Sequence, residues 1–371
     1  MTRATYGTLP IQTLRELIER GEIIGANEEH LQPSSMDLPI SIEEVYRMRG
    51  SFLPRPQESI SDLVKRGSIG DRIPIGTPLR RDDVHLIRLA VSLKLRESVD
   101  GSSSSKSSTG RVDARCRLLA DKVSRYDYIP KGYHGDLWIE VVPKSFDIIL
   151  SEKMCLNQLR LFYGDGRLNV IEHEMAFAKY NLLRARDGSA LPGADRITPD
   201  GVLMTVDLSS NEIIAYRSKN HWRAVDLSQL KSANPNDYFE AIHRPANDEL
   251  VLKPGEFYLL GTKERISIPP CYAAEMVQYN ATIGNLFTHF AGFFDPGFGW
   301  RADGDTSIKG NVAVLEVEVH SSSTVLRDGQ PICIMAYEKM LREPETMYGS
   351  GINSNYGIQD DIKLAKFFRE S

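Results

Sequence analysis

Four short stretches of the sequence hold side chains suited to chemistry. At 106–111 (KSSTGR) a cation, three hydroxyls, a glycine and an arginine fall within six residues: Lys106, Ser107, Ser108, Thr109, Gly110 and Arg111. Hydroxyls, backbone amides and a guanidinium fork are what a polyphosphate or the polar edge of a base requires. The competing reading is a flexible serine-rich loop, since Ser102, Ser103, Ser104 and Ser105 come directly before it, and composition alone favours the loop. Glu140 and Glu316 each stand inside an otherwise apolar strand-like run (WIEV and VLEV). By alternation such a residue faces solvent, the commoner case, or a pocket. If it is buried, its pKa rises and it can shuttle a proton near neutrality. The stretch 290–300 (FAGFFDPGFGW) wraps the turn at Asp295-Pro296-Gly297 in aromatic rings. It reads as a core hairpin or as an edge against which a flat base can lie. The stretch 348–359 (YGSGINSNYGIQ) is a loose terminus or a lid that brings Tyr348, Tyr356 and Gln359 onto a ligand.

Several catalytic arrangements are excluded by spacing. Pro270-Cys271 has no second cysteine three residues on, as a zinc deaminase requires. His173-Glu174 lacks a second histidine four residues after the first, so the zinc-protease helix pattern is absent. No Walker phosphate loop and no G-x-G-x-x-G occurs, and no protein-held catalytic metal is expected.

The elements that must position these residues are mostly strands. One amphipathic helix is expected near the N-terminus, where Ile11, Leu14, Leu17 and Ile18 share a face before Gly21. Short alternating or β-branched runs follow at 84–95, 137–142, 257–260 and 312–319, separated by Gly, Pro, Asp and Ser. That rhythm predicts an all-β barrel or sandwich. A second helix is expected over roughly 170–186, and 187–193 (DGSALPG) reads as a loop and a boundary.

With 371 residues the chain has room for two or three domains. Its 41% hydrophobic and 26% charged content is that of a folded protein, not a disordered one. A net charge of −5 makes a nucleic-acid polymer a poor partner. The first residues hold no apolar signal region, and no apolar run approaches the roughly 18 residues of a membrane span. Cys116, Cys155, Cys271 and Cys333 are scattered, so free thiols in a cytoplasmic protein are expected.

An internal repeat runs through the chain. SMDL at 35–38 returns as TVDL at 205–208, an offset of 170. LRRDDVHLI at 79–87 returns as LKPGEFYLL at 252–260, an offset of 173. WIEV at 138–141 returns as VLEV at 314–317, and Ile149-Leu150 as Val325-Leu326, both at 176. Two β-rich domains of one fold are expected, because this period is far above that of a solenoid.

Taken together these residues resemble the dCTP deaminase family, whose members share the dUTPase-like β-barrel, and the likeness is closest to its long tandem bacterial form. The resemblance covers most of the chain. It rests on 34–38 (SSMDL), on Ser107-Ser108-Thr109-Gly110-Arg111, on Asp295-Pro-Gly-Phe298 followed by Leu315-Glu316, and on Tyr348 with Tyr356-Gly-Ile-Gln359. The first repeat has a weaker turn at 130–133 (PKGY) and its own Ile139-Glu140. The second repeat has 278–284 (QYNATIG) where Ser-Ser-x-x-Arg belongs, Asn355 stands where a lysine usually precedes the tail tyrosine, and 301–309 is an insertion.

The resemblance implies two tandem dUTPase-like domains, at 1–165 and 195–345, with a helical linker at 166–194 and a closing tail at 346–371. It implies hydrolytic deamination of dCTP without zinc, with Mg²⁺ carried by the substrate triphosphate. Glu316, with Glu140 as fallback, would take a proton from water. Ser107 and Arg111 would hold the water and the cytosine carbonyl, coming from a neighbour of the glutamate's barrel. The backbone around Ala291 and Asp295 would read the base. Lys106, Ser108, Tyr348, Tyr356 and Gln359 would hold the rest of the nucleotide. A homo-oligomer, with a trimer favoured, follows from the same likeness. The alternatives are a dUTPase, whose Gly-x-Ile-Asp and Tyr-Arg-Gly hairpin is missing here, a bifunctional deaminase–dUTPase, and a non-catalytic dNTP-binding regulator.

Overall fold

The computed structural model describes residues 6–67, 69–221, 223–277, 286–289, 292–300, 309–319, 322–350 and 359–369. Strands dominate. The N-terminal helix forms at Ile11–Glu19 and buries Ile11, Leu14 and Leu17, with Gly21 taking a positive φ of 69° after it. The second helix is shorter than its sequence pattern suggests, Val170–Tyr180. Asn169 and Glu172 cap its start reciprocally, and Asn181 ends it in the left-handed conformation.

The chain divides into two compact units. The first holds residues 6–165 together with 220–235 and 365–369; the second holds 166–219 and 236–364. Residues 166–194, expected as a linker, therefore group with the second unit. The expected tail divides, 346–364 with the second unit and 365–369 with the first. That last piece runs beside 231–233: Ala233 bridges Phe368, the Arg369 amide donates to Ala233 O, and Ala365, Phe367 and Phe368 are buried.

In the first unit one antiparallel sheet runs in the order Ala114–Ala120, His134–Pro143, His85–Lys94, Met36–Met48, Cys155–Tyr163, Val99–Ser105 and Tyr128–Ile129. In the second, one sheet is ordered Phe239–His243, Ile213–Ser218, Phe257–Ile266, Asn311–Val319 and Leu286–His289. A second sheet is built around Gly201–Thr205, Pro331–Lys339 and Tyr272–Val277, and Glu249–Leu252 pairs separately with Thr324–Arg327. The second unit's core includes Leu260, Leu315, Val317, Val319 and Met335. Asn311–Val319 is buried at every position, so both its faces are covered, and its glutamates are desolvated with it.

Strand pairing bears out the repeat and corrects one part of it. Leu86 stands opposite Glu140 as Leu259 stands opposite Glu316. Leu79 bridges Ile148 as Leu252 pairs with Thr324. These keep the offsets of 173 and 176 seen in the sequence. The SMDL/TVDL pairing does not hold. Leu38 pairs with Asn157 and Met204 with Cys333, while Ile40 pairs with Leu89 and Val206 with Thr262. Leu38 is thus equivalent to Met204, and the sequence match is slipped by four residues. A slip of four keeps the same side chains inward, so alternation could not detect it.

Candidate active site

The KSSTGR stretch is not a flexible loop. Ser103 and Ser105 lie in the strand Val99–Ser105, where their hydroxyls donate to Gln158 O at 3.0 Å and Cys116 O at 3.1 Å. The Lys106 amide donates to Leu156 O, and one helical turn, Ser107–Gly110, follows. Ser108, Thr109 and Arg111 are buried. Lys106 is ion-paired with Asp37, which the strand Met36–Met48 delivers. Lys366, on the C-terminal segment, belongs to the same cluster. Burial depresses its pKa, the Lys106 charge adds to this, and Asp37 opposes it.

Glu140 is buried on the strand His134–Pro143, on the face it shares with Trp138. Residues 49–67 lie over this face, with Ile60 and Val64 packed among Met48, Leu86, Leu119 and Trp138. The Ser51 hydroxyl donates to Glu140 Oε1 at 3.0 Å, and the Tyr126 hydroxyl lies 3.1 Å from Glu140 Oε2. Burial raises the Glu140 pKa, while Ser51, Tyr126, the Arg117 charge and the Phe52 amide oppose the rise.

In the second unit Glu316 is 2% exposed, and Glu318, two residues on and on the same face, is also buried. Asp295 is buried at the start of its turn. Gly297 takes a positive φ of 99°, its amide donates to Ile268 O, and the Ile268 amide donates to Phe298 O. Phe298 packs on Phe294 at 5.1 Å and on Tyr348 at 5.5 Å between ring centroids, and the Tyr348 amide donates to Pro296 O at 2.9 Å. Gln359 is buried and hydrogen-bonded to Asn311 and Val312, at the start of the Glu316 strand. In the second unit Tyr348 thus packs on the turn, whose flanking strand Phe293–Phe294 pairs with Tyr272–Val277, and Gln359 is bound to the start of the Glu316 strand. Ala291, Tyr356, 278–284 and most of 301–309 lie outside the described residues. Among the described residues no group of three or more His, Cys, Asp or Glu side chains is arranged to hold a metal.

Sequence reasoning missed Ser51 and Tyr126, because contacts across 89 and 14 residues leave no local pattern. It also missed Lys366 and Glu318. The alternation LEVEV at 315–319 was a visible signal for Glu318.

Two β repeats, each with a buried glutamate on the equivalent strand, define a protein of the dUTPase-like β fold. Comparison with known proteins carries this further. The chain belongs to the 2'-deoxycytidine 5'-triphosphate deaminase family: residues 5–165 match its N-terminal domain and 178–368 its C-terminal domain. The crystal structure of the 2'-deoxycytidine 5'-triphosphate deaminase from Agrobacterium tumefaciens superposes with a TM-score of 0.82 at 31% identity, covering 91% of this chain and 100% of that one. A dCTP deaminase of Halorubrum lacusprofundi is 28% identical over 133 residues, 35% of this chain and 60% of that protein. A "dCTP deaminase, dUMP-forming" of Halobacterium salinarum is 32% identical over 123 residues, 32% of this chain and 57% of that protein. The chain thus spans less than two thirds of the length of these two relatives. Among the described residues no helix is long and apolar enough to cross a membrane.

Proposed function

We propose that this protein hydrolyses the C4 amine of dCTP, adding water and releasing ammonia. The observation that carries the reading is the match of both halves of the chain to the two domains of the deaminase family. Water adds to C4 as its proton passes to a carboxylate, N3 takes up a proton, and the amine leaves as ammonia once protonated. A positioned general base and nearby donors for the developing charge are what this step demands.

Glu316 is the acid/base of choice. Support comes from Glu140, whose two carboxylate oxygens are engaged by Ser51 and Tyr126 beneath residues 49–67. Ser107 and Arg111 polarise the water and the cytosine carbonyl. Lys106 and Ser108 act on the phosphates, and Mg²⁺ arrives as part of the substrate. Backbone groups at Ala291 and the Asp295 turn read the base. Tyr348 and Tyr356 close over the nucleotide, and Gln359 anchors that closing segment. The working form is a homo-oligomer, with a trimer favoured.

A second reading concerns the product. The Halobacterium relative and one from Corynebacterium efficiens, 32% identical over 151 residues, are both named as dUMP-forming. Those names favour cleavage of the triphosphate after deamination, giving dUMP and pyrophosphate in place of dUTP. One assay tests both readings: ammonia release from dCTP, with the nucleotides separated by anion exchange. Ammonia with dUTP supports the simple deaminase, and ammonia with dUMP and pyrophosphate the two-step enzyme. Absence of ammonia removes both. Light scattering of the purified protein tests the trimer.

A further inference from the structure

The repeat register makes two connectors equivalent. In the first unit Val45 pairs with Ile87 and Tyr46 with Leu86; in the second Ala215 pairs with Leu260 and Tyr216 with Leu259. The next strand adds at the same edge in both, with Arg47 opposite Asp71 and Arg217 opposite Glu240. The chain between these strands is therefore the same connector in each repeat: residues 49–69 in the first, 219–238 in the second. Their destinations differ. Residues 220–235 group with the first unit, where Val225 and Asp226 pair in parallel with Ile148 and Ile149. Residues 49–67 fold back across their own sheet, over Glu140.

This cover is pinned along its length. The Ile60 amide donates to Asp121 Oδ1 at 2.8 Å, the Lys122 amide to Glu58 O at 3.0 Å, and the Ser124 hydroxyl to Pro54 O at 2.7 Å. At Glu140 the hydrogens can be counted. The Tyr126 hydroxyl lies 3.1 Å from both Phe52 O and Glu140 Oε2, and it has one proton to give. Phe52 O can only accept. All three contacts are satisfied together when Glu140 is neutral: its own proton goes to the Tyr126 oxygen, Tyr126 donates to Phe52 O, and Ser51 donates to Glu140 Oε1. The upward pull of burial on the Glu140 pKa favours that form.

We propose that residues 49–67 are an internal occupant of the first repeat's glutamate pocket, latched through Ser51, Tyr126 and a neutral Glu140, so that this repeat is a closed second copy of the site. The closed-copy half rests on the proposed deaminase reading; the latch does not. A carboxylic acid used to hold a cover cannot also accept the proton of a substrate water. Each chain then offers one nucleotide site.

The experiment is hydrogen exchange followed by mass spectrometry on the full-length protein, alone and with a non-hydrolysable dCTP analogue, paired with calorimetric titration of that analogue. Amides of 49–67 are expected to exchange as slowly in the free protein as those of His134–Pro143. They should exchange at least tenfold faster in the double variant Ser51→Ala, Tyr126→Phe, with the melting of the remainder preserved. The analogue is expected to bind once per chain and to leave exchange in 49–67 unchanged. Fast exchange of 49–67 in the unaltered protein, or no acceleration in the double variant, overturns the latch. Two nucleotides per chain, or protection of 49–67 by the analogue, overturns the closed copy. No binding, with 49–67 slow and released by the double variant, leaves the latch standing and removes the deaminase reading instead. If the double variant fails to fold, Ser51→Ala alone, which deletes one hydroxyl, gives the same readout at smaller amplitude.

Discussion

Gln359 and Val312 hold each other in both directions. The Gln359 side-chain amide donates to Val312 O at 2.9 Å, and the Val312 amide donates to Gln359 O at 3.0 Å. The proposed closing tail is thereby fastened at Gln359 to the start of Asn311–Val319, the strand that carries Glu316. Gln359→Ala leaves the buried Val312 carbonyl without its side-chain donor and is expected to cost about 1–3 kcal/mol. Chemical denaturation measures the loss, and steady-state kinetics should show a raised KM for dCTP with the oligomer intact. An unchanged stability would mean that Gln359 holds nothing.

Glu316→Gln keeps the shape of the side chain and removes its ability to exchange a proton. Turnover of dCTP is expected to fall by roughly 10²–10⁴, the usual contribution of a general acid/base. Ammonia release under saturating substrate checks this, with the melting temperature as a control for folding. Full activity in this variant would return the role to Glu140.

Glu140 gives a pH dependence of defined sign. Burial raises its pKa in the folded protein above the ordinary value of 4.5. The folded state therefore holds this proton more tightly than the unfolded chain does. The resulting stabilisation is fully present below about pH 4.5 and is lost as pH rises through the folded value. Denaturation of the unaltered protein and of Glu140→Gln across this range should give curves that diverge with rising pH, the glutamine protein losing less. Parallel curves would mean that Glu140 titrates normally.

Two glycines with the same backbone angle should respond differently to alanine. Gly299 has φ +62°, and a Cβ there would lie 2.1 Å from Ile266 O and 2.8 Å from Asn311 N. Gly67 has φ +63° with nothing within 4 Å. Gly67→Ala bears only the left-handed backbone penalty, about 1–2 kcal/mol. Gly299→Ala must also push backbone away from the Asp295 turn, so its melting temperature should fall further, with activity. Calorimetry of both variants makes the comparison, and equal losses would count against the close approach at Gly299.

The thiols should be unreactive in the native protein. Burial pushes the Cys116 and Cys333 thiols far up and that of Cys155 to about 12. Only thiolate attacks a disulfide reagent. An aromatic disulfide reagent near neutral pH should therefore label the folded protein slowly and reach all four cysteines only after denaturation. Rapid labelling of Cys116 or Cys333 would show that their strands open.

The sequence by itself determined the β class, the two repeats and the identity of the residues capable of chemistry, because alternation and residue type are local properties. Leu86, Leu259, Glu140 and Glu316 could be matched at offsets of 173 and 176 since strand partners must keep register. The tertiary structure alone decided what each of those residues touches. SMDL and TVDL matched in letters, yet strand pairing moved the true equivalence by four residues, a shift that alternation cannot see. Glu140 and Glu316 read alike as WIEV and VLEV. The path of a connector, folding back over Glu140 in one repeat and joining the other unit in the second, separates them. Where a connector lies is fixed by side chains far apart in the chain, here Ser51 and Tyr126 meeting Glu140, and no local pattern records that meeting.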